Sequence, residues 1–160
     1  MSKFNFKSEK DFTEVKDRTE KLYKTINNIY CPYFKEKVVF NSKGWKHLRF
    51  KSNRKARSRK EQYSRFKLFY LAPKILEQSH TLQGIWQTKK FEQQKTNSRW
   101  ERILKEVTYY EFVAIMDNVR TKVIIKEVMD EEKYFLSVIP FWGINKATGR
   151  RILFSNPEFD

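Results

Sequence analysis

The first thirty residues carry one apolar stripe. In "SEKDFTEVKDRTEKLYKTINNIY", Phe12, Val15, Thr19, Leu22, Ile26 and Ile29 recur at alternating spacings of three and four, the period of a single helix face. Ser8 and Asp11 add an S-x-x-D start signature. The pattern predicts a helix docked on its own domain; a helix that pairs with a partner is the alternative. Pro32 ends it. Val38, Val39 and Phe40 then form a short strand or extended segment. Asn41 or Ser42 can cap a short helix carrying Trp45, His47 and Leu48. Ser58 and Glu61 make a second capping box for a longer helix, with Tyr63, Phe66, Phe69, Tyr70 and Leu76 on its apolar side and Pro73 placed to kink or split it.

After Thr81 the period changes. "KEVTYYEFVAIMD" is apolar in both alternating sets, which suits a central strand covered on both faces. "VRTKVIIKEVMD" and "KYFLSVIPFW", joined across Asp130 to Glu132, read as a β-hairpin. Ile85 to Gln94 is a weaker first strand, and the tail after Gly149 an edge segment. Helices followed by an antiparallel meander predict the α+β class.

Charge changes this picture most. Lys and Arg number 34 against 19 acids, a net charge of +15, which is the electrostatic footprint of a nucleic-acid partner. A solvated basic surface, or weak attraction to anionic membranes, is the ordinary alternative. The stretch from Asn41 to Lys67 holds eleven of these cations and one acid, Glu61. Cys31 is the only cysteine, so no internal disulfide can form, and the chain reads as cytoplasmic or as a secreted domain that needs no staple. The first twelve residues lack the apolar core of a signal peptide, and no apolar run approaches the ~20 residues of a membrane helix. Two histidines and one cysteine do not make a usual zinc set. No G-x-x-x-x-G-K-S/T loop and no G-x-S-x-G elbow occurs. The acidic trio at residues 130–132 sits at a hairpin tip, where solvated charge is the ordinary reading. Neither a metal nor a cofactor is expected.

The combination "VVFNSKGWKHLRFK", "RFKLFYLAPKIL" and "TKVIIKEVMDEEKYFLSVIPFW" resembles the barnase–EndoU–colicin–RelE superfamily of RNases, in its phage- and mobile-element-associated branch. The similarity covers roughly Cys31 to Trp142. It implies helices packed on a four-stranded antiparallel sheet and metal-independent cleavage of RNA, often by toxins, with a cognate inhibitor protein as a further partner. It divides the chain into an N-terminal amphipathic helix over 1–30 and a nuclease-like domain over 31–160. The branch's G-x-x-H pattern falls on Gly44 and His47, its basic strand residues on Lys122 and Lys126, and its last-strand Ser or Thr on Ser137.

Cleavage of this kind needs a proton-transfer group, which histidine supplies near neutrality, and cations for the developing phosphorane charge. An even hairpin loop would place Lys126 opposite Ser137 and put Lys122, Lys126 and Ser137 on one face beneath the early helix. An odd loop would place Ile125 opposite Ser137. Arg65, inside its amphipathic helix, is the arginine best placed to reach the sheet. Lys43, Lys46, Arg49, Arg54, Arg57 and Arg59 are candidate phosphate contacts. Trp45 and Trp86 are candidates for stacking unpaired bases, whereas Trp100 and Trp142 read better as core. His80 reads as a helix-end residue near the dipole. Beside the ribonuclease reading stand a non-catalytic nucleic-acid binder on the same scaffold and an interaction module built on the first helix.

Overall fold

A computed structural model describes residues 4–52 and 54–140. Three of the four described helices begin where a side chain can accept a backbone N–H, and the fourth has no such cap. Ser8 caps α1 (Glu9–Thr25), Asn41 caps α2 (Ser42–Arg49) through Lys43 and Gly44, and Ser58 with Glu61 closes a full capping box on α3 (Arg59–Leu68). The last helix, α4 (Leu71–Gln78), is split from α3 at Phe69 and Tyr70, with Pro73 near its start. The strands are β1 (Asn28–Cys31), β2 (Glu36–Val39), β3 (Phe50–Ser52), β4 (Lys55–Ala56), β5 (Gly84–Thr96), β6 (Arg99–Met116), β7 (Val119–Val128) and β8 (Tyr134–Pro140). Trp142 and the tail after Gly149 lie outside the described residues.

The architecture is α+β, but among the described residues its main sheet is six-stranded and mixed rather than four-stranded and antiparallel. Its order is β1-β2-β8-β7-β6-β5. The four strands after residue 80 pair antiparallel in succession. β2 joins β8 in parallel at a single position, Val39 opposite Tyr134. The first helix is shorter than its stripe suggested. Ile26 caps it in extended conformation and Ile29 lies in β1, so the boundary at residue 30 falls inside a strand. Tyr23 takes the buried place expected of Leu22, which is 38% exposed.

Helices cover one sheet face. Phe12, Val15, Leu48, Phe66, Phe69, Ile75 and Leu76 pack with Phe112, Val123, Ile125, Phe135 and Val138 in one core; fully burying each such side chain is worth about 1.5–3 kcal/mol. Thr19 donates to the Phe66 carbonyl at 3.2 Å, and Tyr23 to the Asn41 carbonyl at 2.5 Å. The opposite face holds a second cluster of Val107, Tyr109, Ile124, Val128, Tyr134 and Leu136. Lys133 ties the start of β8 to both neighbours, pairing with Glu36 of β2 and with Glu127 of β7, the latter at 2.9 Å. Burial alone would raise the Glu127 carboxyl, but hydrogen bonds from Lys133 and Tyr110 outweigh it and hold the group below the usual range. Tyr110 is itself pushed up to about 12, by burial first and by Glu127 next.

Two hairpins turn without glycine. Asn97 and Ser98, and Asp117 and Asn118, all have positive φ, the type I′ geometry that suits the twist of paired strands. Gly44 is required for a different reason. A Cβ there would fall inside van der Waals contact of the Phe135 carbonyl oxygen and the Tyr23 hydroxyl, so the glycine is what lets α2 lie directly on β8.

Gly44→Ala should therefore destabilise the fold by about 1–3 kcal/mol, the usual cost of overpacking, read as a lower urea midpoint. The Glu127 contribution has its own pH signature. A carboxyl depressed in the folded state stabilises above its unfolded value, and this is lost as pH falls through the folded value. Acid titration of the urea midpoint should thus show a decline below the ordinary glutamate range that Glu127→Gln makes shallower.

Candidate nucleic-acid interface

The basic stretch folds into one continuous unit. α2 runs into β3, a short hairpin returns through β4, and α3 follows. Gly44 and Leu48, four apart, face the core, which turns Lys43 and Lys46 outward on α2. Arg54, Lys55 and Arg59 are also exposed, while Arg49 and Lys51 are half-buried. Lys51 pairs with Glu61 at 3.4 Å and Arg59 with Glu9. Burial raises the Glu61 carboxyl, but the Ser58 backbone N–H, Lys51 and Arg65 bring it below its ordinary value. Lys43 reaches round the edge of β8 to lie 5.4 Å from the Tyr134 ring centre. Arg49 stacks near Phe50 at 5.3 Å.

His47 is half-buried on α2 and is held by Arg57. Arg57 is only 3% exposed. Its Nε donates to the His47 carbonyl, and its Nη2 meets His47 Nε2, both at 2.9 Å. Its backbone N–H donates to the Arg49 carbonyl at 2.9 Å. A guanidinium has only donors, so Nε2 must be the acceptor and the ring proton sits on Nδ1. Arg57 thus holds His47 from inside the fold, where its burial sets it apart from the exposed cations around it.

The strand residues lie elsewhere. Lys126 is opposite Tyr134, not Ser137, and Ser137 is opposite Ile124. Five residues connect β7 to β8, an odd loop, and the pairing near it follows that odd register. A one-residue bulge at Leu136 then shifts the ladder and leaves Lys122, Lys126 and Ser137 on one face after all. That face is the one turned away from the helical core, so it is not beneath α2 as expected. Ser137 and Lys122 have no exposed surface, and Lys122 lies 3.5 Å from Glu111. Lys126 pairs with Glu92 at 3.1 Å and sits 5.9 Å from the Tyr109 ring centre. Arg65 is buried too, its Nη1 donating to the Glu61 carbonyl one turn back, at 3.2 Å.

Trp45 and Trp100 exchange their expected places. Trp45 packs on the core, stacked on Phe66 with ring centres 5.4 Å apart. Trp86 is stacked on Tyr109 and 39% exposed. Trp100, expected in the core, is 69% exposed. Among the described residues, no group of three His, Cys, Asp or Glu side chains is placed to hold a metal ion, and no helix is long and apolar enough to cross a membrane.

The ring tautomer is testable directly. Long-range nitrogen–proton correlation spectra should show His47 protonated on Nδ1, and Arg57→Ala should both abolish this preference and cost about 1–3 kcal/mol through the acceptors it strands. No family model, curated protein or solved structure matches the chain, so a functional reading rests on its own residues.

Proposed function

We propose that the chain binds RNA, docking phosphates on the unit formed by α2, β3, β4 and α3. The observation that carries this reading is the gathering of eleven cations and one acid, from Asn41 to Lys67, into one contiguous piece of structure. Lys43, Lys46, Arg54 and Lys55 present their charge to solvent, as phosphate contacts require. RNA, rather than DNA, is the choice suggested by the resemblance of the G-x-x-H and strand motifs to RNA-cleaving proteins.

Cleavage is a second reading, and one feature favours it. The 2.9 Å contact between His47 and Arg57 fixes a proton-transfer group on the helix that also carries the exposed cations Lys43 and Lys46, the two functions a metal-independent ribonuclease needs. The strand residues add less. Lys122 and Ser137 are fully buried, and Lys126 is occupied by Glu92. Binding therefore comes first, and a toxin acting as an endoribonuclease, with its inhibitor, remains the extension of it.

Binding of labelled RNA should weaken about ten-fold or more across a modest rise in salt, because several phosphate contacts release condensed counterions. Lys46→Glu with Arg54→Glu should weaken it further and flatten the salt slope. Affinity indifferent to salt would sink this docking surface. Incubation with total RNA in excess EDTA addresses cleavage: products that His47→Ala reduces by ~10²–10⁴-fold would establish His47 as the proton-transfer group, and no products would leave binding alone.

A further inference from the structure

Strands β5 and β6 are longer than the sheet that holds them. β7 pairs with β6 only as far as Val107 opposite Val128. Eight further pairs, from Lys89 opposite Glu106 to Thr96 opposite Arg99, form a two-stranded arm of roughly 27 Å, at ~3.4 Å per residue. The Asn97-Ser98 turn closes it. Glu92–Lys126 at 3.1 Å and Lys105–Glu131 at 3.8 Å brace its base.

The two faces of the arm differ. Lys90, Glu92, Gln94, Thr96, Ile103 and Lys105 are half-buried. On the other face, Lys89, Phe91, Gln93, Lys95, Trp100, Arg102, Leu104 and Glu106 are all exposed. Phe91 stands opposite Leu104, and Lys95 opposite Trp100. Exposures of 63% at Phe91, 51% at Leu104 and 69% at Trp100 make this an apolar stripe that no other described residue covers, a pattern that marks an interaction surface. Three cations, Lys89, Lys95 and Arg102, are set among these side chains against one acid, Glu106, and Arg102 lies 5.9 Å from the Phe91 ring centre.

We infer that this face of the arm is a stacking platform for unpaired bases of a single-stranded nucleic acid, with Phe91 and Trp100 as the stacking residues and Lys89, Lys95 and Arg102 meeting the backbone. Aromatic rings interleaved with cations are what such binding needs, since every base offers a π-face and every nucleotide a phosphate. A second copy of the chain is the competing occupant for an exposed edge strand. Charge decides against it: two copies, each carrying +15, repel, whereas a polyanion is attracted. The four residues separating the two pairs set the rings about 14 Å apart along the ribbon, so a short unpaired run spans them.

The inference rests on the RNA reading above but names a second surface, and the full-length chain tests both. With labelled oligouridine as the probe, Phe91→Ala/Trp100→Ala should weaken binding at least about ten-fold and leave the circular-dichroism melt unchanged, because both side chains are exposed. Trp100→Phe should keep most of the affinity. Independently, oligouridine should quench tryptophan fluorescence in the wild type, and Trp100→Phe should remove most of that quenching, a readout that survives even if the double variant misfolds. Wild-type affinity in the double variant, or quenching unaltered by Trp100→Phe, overturns the platform while leaving α2-to-α3 docking intact. Equal loss for an oligouridine–oligoadenine duplex also overturns it, since stacking requires unpaired bases. So does a wild-type dimer in sedimentation that the double variant lacks. No binding of any RNA by the wild type defeats the RNA reading itself.

Discussion

The contact between Gly44 and the Phe135 carbonyl is the constraint on which the rest of the molecule depends. β2 pairs with β8 at one position and then leaves it, because the Asn41 side chain takes up two backbone N–H groups and turns the chain into α2. The place beside β8 that a longer strand would fill is taken by a helix. A helix is far thicker than a strand, so it can lie there only where a side chain is missing. From that one approach follow Leu48 in the core, Trp45 on Phe66, and the presentation of His47 to Arg57. Gly44 in the G-x-x-H pattern thus has a steric explanation that is independent of any chemistry at His47.

What could be read from the chain alone divides along physical lines. Caps are local, so Ser8, Asn41 and the Ser58–Glu61 box were all legible. β1 was not, because Ile26 and Ile29 continue the spacing of the preceding helix, and only tertiary pairing with β2 distinguishes a strand there. The parallel bridge to β8 is likewise non-local. The hairpin register was misread because the loop has five residues rather than two, and the bulge at Leu136, which no periodicity announces, is what returns Ser137 to the face of Lys122 and Lys126. The arm was underestimated because both of its alternating sets hold polar residues and its turn, Asn97-Ser98, lacks the glycine that usually signals a type I′ hairpin.

At the candidate site, residue types were legible and partners were not. The sequence identified Lys122, Lys126 and Arg65 as cations on regular elements, but a lysine facing a phosphate and a lysine facing Glu111 have the same letter. Arg57 was read as one more phosphate contact, although it is the residue that sets the His47 tautomer. No local signal separates it from its neighbours: Arg54, Lys55 and Arg59 in the same stretch are exposed. Trp100 was misread for the opposite reason: an apolar residue in a strand suggests core, yet it lies beyond the point where β7 stops pairing with β6, on the part of the sheet that no described helix covers.

The distribution of acids explains why the basic helices, and not the sheet, carry the long-range field. The sheet spends its carboxylates locally: Glu92 on Lys126, Glu111 on Lys122, Glu131 on Lys105, and Glu36 with Glu127 on Lys133. Each such pair is close to neutral beyond a Debye length of about 8 Å at physiological salt, and the exposed ones contribute little to stability, about 0–1 kcal/mol. Between Asn41 and Lys67 only Glu61 is available, with Glu9 reaching in from α1. The positive potential there remains uncancelled at the distances over which a polyanion approaches. The molecule thus separates two uses of lysine and arginine, one neutralised within the sheet to hold strands together and one left in excess, between Asn41 and Lys67 and on the outer part of β5 and β6, where a phosphate backbone can meet it.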